Sequence, residues 1–425
     1  MFSATKRSLA LTAMLLFVPF LLAALWITLF QAGPNRLISG GPEASPLERK
    51  VGQLIMVGFN GTSPLDPGVM AVSGQLESGR IGGVMLLGRN IQTPDQLTTL
   101  TRHLADQGSV SSIFIAVDQE GGQVQRLAPL GDPMTWSAAK NLPTATDNCA
   151  PRKVRAYYAR RAAQLGAYNI NVNYGPVVDV DINPDNPIIG KKKRSFSADP
   201  ATVTNCAAGF IAAHQAAGIA TALKHFPGHG SSTADSHSSL PVISQSWREH
   251  ELEPYRALRQ QDRVDMVMMG HLVHPRFSDT PETPASLSKK GIAEARTLAG
   301  KDAVIITDDL EMDAVSDRFS IEDAAVQAIA AGNDIVLFSS FDRTDPQLGD
   351  RVNAAIVAAV VDGRISEAQV DQAAARVAAL KHRLSRFRVG VWPEPQSARL
   401  GTGPKNTPPS YAAATTILPS APAAP

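Results

Sequence analysis

Eight short apolar runs, each separated from the next by helical patterning, constrain the fold of this chain more than any other feature. They are Leu54–Phe59, Gly83–Leu87, Ile113–Val117, Val172–Val178, Ala220–Phe226, Val264–Met269, Ala303–Thr307 and Asp334–Phe338. The runs are continuously apolar rather than alternating, as parallel strands buried on both faces require. Between them lie Ala-rich segments with helical spacing, such as Val154–Ala167 and Ile321–Ala331. Alternation of strand and helix calls for a parallel α/β sheet. Eight units in about 340 residues fit an α/β (β/α)8 TIM-type barrel better than a doubly wound sheet. No glycine-rich dinucleotide fingerprint follows the first run, which argues against the doubly wound alternative.

The flanks divide the chain further. Lys6 and Arg7 precede a nearly charge-free stretch, Leu9–Phe30, long enough to cross a bilayer as a helix. It has no clear small-residue cleavage site, so residues 1–31 read as an uncleaved membrane anchor, with a removed signal segment as the alternative. The preceding charges place the N-terminus inside and the body outside the cytoplasm, on the periplasmic face. Residues 32–46 follow as a linker, and 47–388 as one catalytic-sized domain, whose last helix lies near Glu367–Leu384. Residues 389–425, rich in Pro, Ala, Ser and Thr, read as a disordered tail.

Charge excludes one class of function. Forty Lys and Arg against 39 Asp and Glu leave a formal charge of +1, with no basic field to compete for nucleic-acid phosphates. The run Lys191–Lys192–Lys193–Arg194 reads as a solvated loop. Cys149 and Cys206 are the two cysteines; the expectation is a pair of unpaired, partly buried thiols, a disulfide being the alternative in an oxidising compartment.

In a barrel of this kind chemistry gathers at the C-terminal ends of the strands. Four runs stop there at ionisable residues: Asp118, the Lys224–His225 pair, His271 and Asp308. An Asp after a strand is more often a cap or loop acceptor than a catalyst, so the convergence carries the argument. Asp308 suits attack at, or stabilisation of, an anomeric centre, and Asp235-Ser236-His237 offers a carboxylate to orient an imidazole acid/base. His225, His229, Asp235 and His237 make a poor zinc site, because Lys224 sets a cation beside them and the spacing matches no helix-borne pair; no metal and no cofactor are expected. A serine-hydrolase reading fails for want of a G-x-S-x-G elbow.

Four stretches, VDQEGGQVQRL (Val117–Leu127), RSFSADP (Arg194–Pro200), KHFPGHG with ADSH (Lys224–His237) and TDDLEM (Thr307–Met312), occur in this order. In them the chain resembles glycoside hydrolase family 3, and within it the single-domain β-N-acetylglucosaminidases. General similarity runs from about Leu47 to Leu384. The resemblance implies an exo-acting, retaining β-N-acetylglucosaminidase. Asp308 would be the nucleophile that forms a covalent glycosyl-enzyme, and His237, backed by Asp235, the acid/base. Asp118, Arg126, Arg194, Lys224 and His225 would bind the sugar. On sequence alone Asp309 rivals Asp308, and only the family pattern chooses; His229 and Glu120 read as structural hydrogen-bonding residues.

The chain also departs from the family, which usually has one residue between Gly190 and Arg194 where three lysines stand here. The expected partners are a GlcNAc-containing glycan, such as peptidoglycan fragments, and a membrane through the N-terminal segment; the protein is expected to be a monomer. A β-glucosidase or a phosphorylase of the same family, and a non-catalytic membrane-held glycan-binding scaffold, are the competing readings.

Overall fold

The computed structural model describes residues 44–386 except 109–111, 132–133 and 341–344. The expected anchor, most of the linker and the tail lie outside the described residues. Among the described residues no helix is long and apolar enough to cross a membrane.

All eight apolar runs become strands of one closed parallel barrel. They are β1 (Ile55–Gly58), β2 (Gly83–Leu86), β3 (Phe114–Val117), β4 (Val172–Asn173), β5 (Ala220–Phe226), β6 (Met266–Met269), β7 (Val304–Asp309) and β8 (Ile335–Phe338). Each pairs with its neighbour in chain order, and β8 closes on β1 through Ile55↔Val336 and Val57↔Phe338. The expected fourth strand, Val172–Val178, is cut to two residues. Pro176 has no N–H to give the ladder; Gly175 still accepts from the Ala222 N–H at 2.9 Å, and an isolated Val177↔Lys224 bridge follows.

The helices between strands begin where sequence chemistry says they should. Ser45-Pro46, Thr93-Pro94 and Asp199-Pro200 each place a capping side chain before a proline with the right φ for a first turn. Ser45 accepts from the Glu48 N–H, Thr93 from Gln96, and Asp199 from Ala201 and Thr202. Of the two helices named from the pattern, one starts three residues earlier, at Pro151, and the other spans Ile321–Ala331 as expected.

The floor of the barrel, at the N-terminal strand ends, is polar, and its buried charges are paired or hydrogen-bonded. Asp334, just before β8, accepts from Arg296 (2.6 Å), Arg376 (2.9 Å) and the Ile305 N–H (2.8 Å). Asp265, just before β6, meets Arg383 and the Thr221 N–H. Lys381 donates to the Gly82 carbonyl and to Gln53, both at 2.8 Å, beneath the Phe114 ring. Burial lowers the Lys381 amine to about 7. Arg376, Lys381 and Arg383 all come from the last helix, Glu367–Ser385.

The cysteines correct the sequence expectation. Cys149 and Cys206 are fully buried and joined as a disulfide, with Cα atoms 4.8 Å apart. The Pro151–Ala167 and Pro200–Ala216 helices pack side by side, which brings a residue just before one against the interior of the other. Replacing both cysteines by alanine should cost about 2–4 kcal/mol in a urea unfolding curve. The wild type treated with reductant under denaturing conditions should shift by the same amount.

Candidate active site

At the opposite end of the barrel the polar residues form one connected set. Lys224, 2% exposed at the end of β5, sends Nζ between Asp118 Oδ1 (2.6 Å) and Glu120 Oε1 (2.7 Å). Arg194 holds Glu120 with two parallel bonds, Nε to Oε2 at 2.9 Å and Nη2 to Oε1 at 2.8 Å. Burial opposes ionisation of both Glu120 and Lys224, but the opposite charges prevail. The Glu120 carboxyl lies well below its ordinary range and the Lys224 amine above its own. Glu120 projects from a tight hairpin, Gln119–Gly121 against Val124–Gln125. That turn needs glycine: Gly121 has φ +107°, and a Cβ there would lie 2.3 Å from the Ser137 carbonyl oxygen.

Arg194 Nη2 also lies 3.2 Å from His225 Nε2, and His225 Nδ1 lies 2.7 Å from Asp179 Oδ2. A guanidinium only donates and a carboxylate only accepts, so His225 is held as the neutral Nδ1–H tautomer. Asp179, fully buried, also accepts from the His225 and His229 N–H groups at 3.0 and 2.8 Å. This residue escaped the sequence analysis, although it directly follows the fourth apolar run and the strand-end rule would have selected it. The three lysines before Arg194 are absorbed in a turn and leave the guanidinium seated in the network. Arg126 sits at the edge of the set, its Nη2 3.8 Å from Asp118 Oδ2.

At the end of β7 the two rival aspartates are distinguished by their partners. Asp309 Oδ1 accepts from the Glu311 and Ser339 N–H groups, both at 3.1 Å, and its Oδ2 from the Ser339 hydroxyl. Asp308 Oδ1 accepts only from the Asp309 N–H, at 2.9 Å, and Oδ2 has no hydrogen-bond partner among the described residues. Burial alone would raise the Asp308 carboxyl. The imidazoles of His225, His271 and His237 and the Asp309 N–H reverse this and hold it at about 2. Asp309, by contrast, is raised by burial. His271, which the sequence analysis left without a role, donates from Nε2 to the Asp309 carbonyl (2.8 Å) and so steadies the end of the strand.

Asp235 and His237 meet as expected, Nδ1 to Oδ1 at 2.8 Å, on an exposed loop after β5. The carboxylate fixes the proton on Nδ1 and leaves Nε2, unpartnered among the described residues, as the nitrogen that gains and loses one. The His237 side chain is 60% exposed and no hydrogen bond joins it to Asp308, although its charge reaches that carboxylate. The loop rests on His229, whose Nε2 lies 3.2 Å from Ser236 Oγ. Among the described residues no His, Cys, Asp and Glu side chains are grouped so as to hold a metal ion.

Residues 46–380 match the sequence profile of the glycosyl hydrolase family 3 N-terminal domain. The chain belongs to this family. It is 32% identical over 327 residues to beta-hexosaminidase A of Pseudoalteromonas piscicida, a match covering 72% of this chain and 54% of that protein. It thus spans about half the length of that relative. With beta-hexosaminidase LpqI of Mycobacterium tuberculosis it shares 35% identity over 313 residues, 71% of this chain and 76% of that one. Among solved structures it is similar to a glycoside hydrolase family 3 β-N-acetylglucosaminidase from Paenibacillus sp. str. FPU-7. The TM-score is 0.72 at 32% identity, covering 84% of this chain and 66% of that one. A β-N-acetylhexosaminidase from Beutenbergia cavernae gives a TM-score of 0.70 at 30% identity, covering 80% of this chain and 99% of that one. The family's barrel is therefore the fold of this chain.

Beneath the loop that carries Asp235 and His237 lies Glu251, with no exposed surface. Burial outweighs the Ser231 hydroxyl and amide that face it and raises its carboxyl from 4.5 to about 7. The folded protein keeps a proton that the unfolded chain gives up above pH 4.5. Stability from this group is therefore complete below 4.5 and is lost as pH rises to 7. In Glu251→Gln that dependence should vanish. Unfolding curves should show the wild type losing up to about 3 kcal/mol relative to the variant between those pH values.

Proposed function

We propose that this protein is an exo-acting, retaining β-N-acetylglucosaminidase that removes terminal GlcNAc from GlcNAc-containing glycans. The observation that carries the reading is the division of labour at the end of β7. Asp309 spends both carboxylate oxygens on Ser339 and Glu311, whereas Asp308 keeps one open beside a prearranged polar pocket. The names of the similar enzymes supply the sugar.

Asp308 Oδ2 attacks the anomeric carbon while His237 gives its Nε2 proton to the departing oxygen, leaving a glycosyl ester. His237 then takes a proton from water, which displaces the carboxylate; two inversions restore the β configuration. Asp118, Lys224, Arg194 and His225, with Arg126 at the edge, bind the hydroxyls and N-acetyl group. Their charges are already paired before substrate arrives, so binding does not have to assemble them. An exported enzyme held at the membrane by residues 9–30 meets peptidoglycan fragments, and the Cys149–Cys206 disulfide supports an oxidising compartment.

The purified protein should release chromophore from an aryl β-N-acetylglucosaminide and far less from the matching β-glucoside. Asp308→Ala should lower kcat on the order of 10⁴-fold or more. Equal turnover of the two aryl sugars would overturn the N-acetyl preference, and an active Asp308→Ala would overturn the nucleophile. His237→Ala should lose about 10²–10⁴-fold on disaccharides but much less on aryl substrates whose leaving groups need no proton. Equal losses on both kinds would remove His237 as the acid.

A further inference from the structure

The loop after β5 divides into a fixed arm and an outer turn. The arm, residues 228–232, is fastened to the barrel. The His229 N–H donates to Asp179 Oδ1 (2.8 Å), and the His229 carbonyl accepts from Asn186 Nδ2 (2.7 Å). The Gly230 and Ser232 carbonyls accept from the Asn183 N–H (3.1 Å) and Nδ2 (2.9 Å). The arm lies so close to the backbone beneath it that a Cβ at Gly230 would sit 1.7 Å from the Val180 carbonyl oxygen. The outer turn, residues 233–239, carries Asp235 and His237 and is braced largely from within. The Ser238 and Ser239 N–H groups return to the Asp235 carbonyl (3.2 and 3.1 Å), and the His237 N–H to Asp235 Oδ1 (3.0 Å). Those bonds shape the turn without fixing where it sits.

One residue of the turn supplies that placement. From Thr233 to Ser239 only Ser236 is buried, at 2% exposure. Its Oγ lies 3.2 Å from His229 Nε2 on the fixed arm, and its carbonyl accepts from the Ala314 N–H at 3.4 Å. Ala314 belongs to the short helix Asp313–Ser316, six residues past Asp308. Burial lowers the His229 imidazole to about 4, so at neutral pH the ring is uncharged and shares one neutral hydrogen bond with the hydroxyl. Ser236 thus touches both the arm behind the turn and the segment that follows Asp308, and it stands between Asp235 and His237 in the chain.

We propose that Ser236 is a positioning residue for the acid/base: its seat between His229 and Ala314 sets the place of the Asp235–His237 pair relative to Asp308. This rests on the glycosidase reading above. One neutral hydrogen bond adds little to the stability of the whole protein, but a proton donor displaced by an ångström loses much of its rate.

The test measures kcat and KM of Ser236→Ala, His229→Ala and the double variant on a β-linked GlcNAc disaccharide and on an aryl β-N-acetylglucosaminide with a good leaving group, with His237→Ala as reference. Ser236→Ala should lower kcat on the disaccharide about ten- to a hundredfold, with KM changed less than about threefold and aryl turnover reduced far less. The double variant should lose little more than Ser236→Ala alone, because both changes break one contact. Should His229→Ala fail to fold, the contrast between substrates in Ser236→Ala decides by itself. Equal losses on both substrates, no loss on either, or losses that multiply in the double variant would overturn the proposal. A substrate contrast in His237→Ala with none in Ser236→Ala would overturn it and leave the glycosidase reading standing. No contrast in His237→Ala would remove the acid/base and this inference with it.

Discussion

The mouth of the barrel depends on one buried ammonium. Lys224 is almost wholly withdrawn from water, and a charge in that position has to be neutralised where it stands. Asp118 and Glu120 do so from the end of β3, and Glu120 in turn requires Arg194 from the loop after β4. Arg194 then sets the tautomer of His225, which Asp179 anchors from the other side. Three strand ends are thereby tied to one another through charges that none of them can leave unpaired. This polar pocket is ordered for a reason of stability, and its order precedes any ligand.

Both ends of the barrel are lined with ionisable side chains, and the contrast between them separates scaffold from chemistry. On the floor Asp334 and Asp265 spend their oxygens on arginines and strand N–H groups, and Lys381 is satisfied by a carbonyl and an amide. At the mouth, Asp308 keeps a bare oxygen and His237 a bare nitrogen. What sets Asp308 and His237 apart among the described residues is unfinished hydrogen bonding, more than charge or burial alone.

The barrel was legible in the chain because parallel strands covered by helices must be apolar on both faces, and eight such runs leave few other arrangements. Strand length was less legible: the missing N–H of Pro176 ends β4 early, which an apolar count does not register. Asp118, Lys224, His225 and Asp308 stood out as polar stops after apolar runs. Asp179 obeys the same rule and was passed over in favour of residues inside recognisable motifs. The choice between Asp308 and Asp309 lay beyond sequence, since it turns on Ser339, thirty positions away just past the next strand. So did the disulfide, which depends on how two helices pack and not on the spacing of two cysteines.

The last helix gives the barrel a direction in time. Every strand lies upstream of Phe338, but Arg376, Lys381 and Arg383, which neutralise or satisfy the starts of β8, β2 and β6, come forty or so residues later. A chain emerging from the ribosome has therefore completed its sheet before it can close the floor, and in that interval Asp265 and the Gly82 carbonyl lack their final partners. The residues of the mouth all precede Ser340, so the chain holds them before it holds the helix that closes the floor.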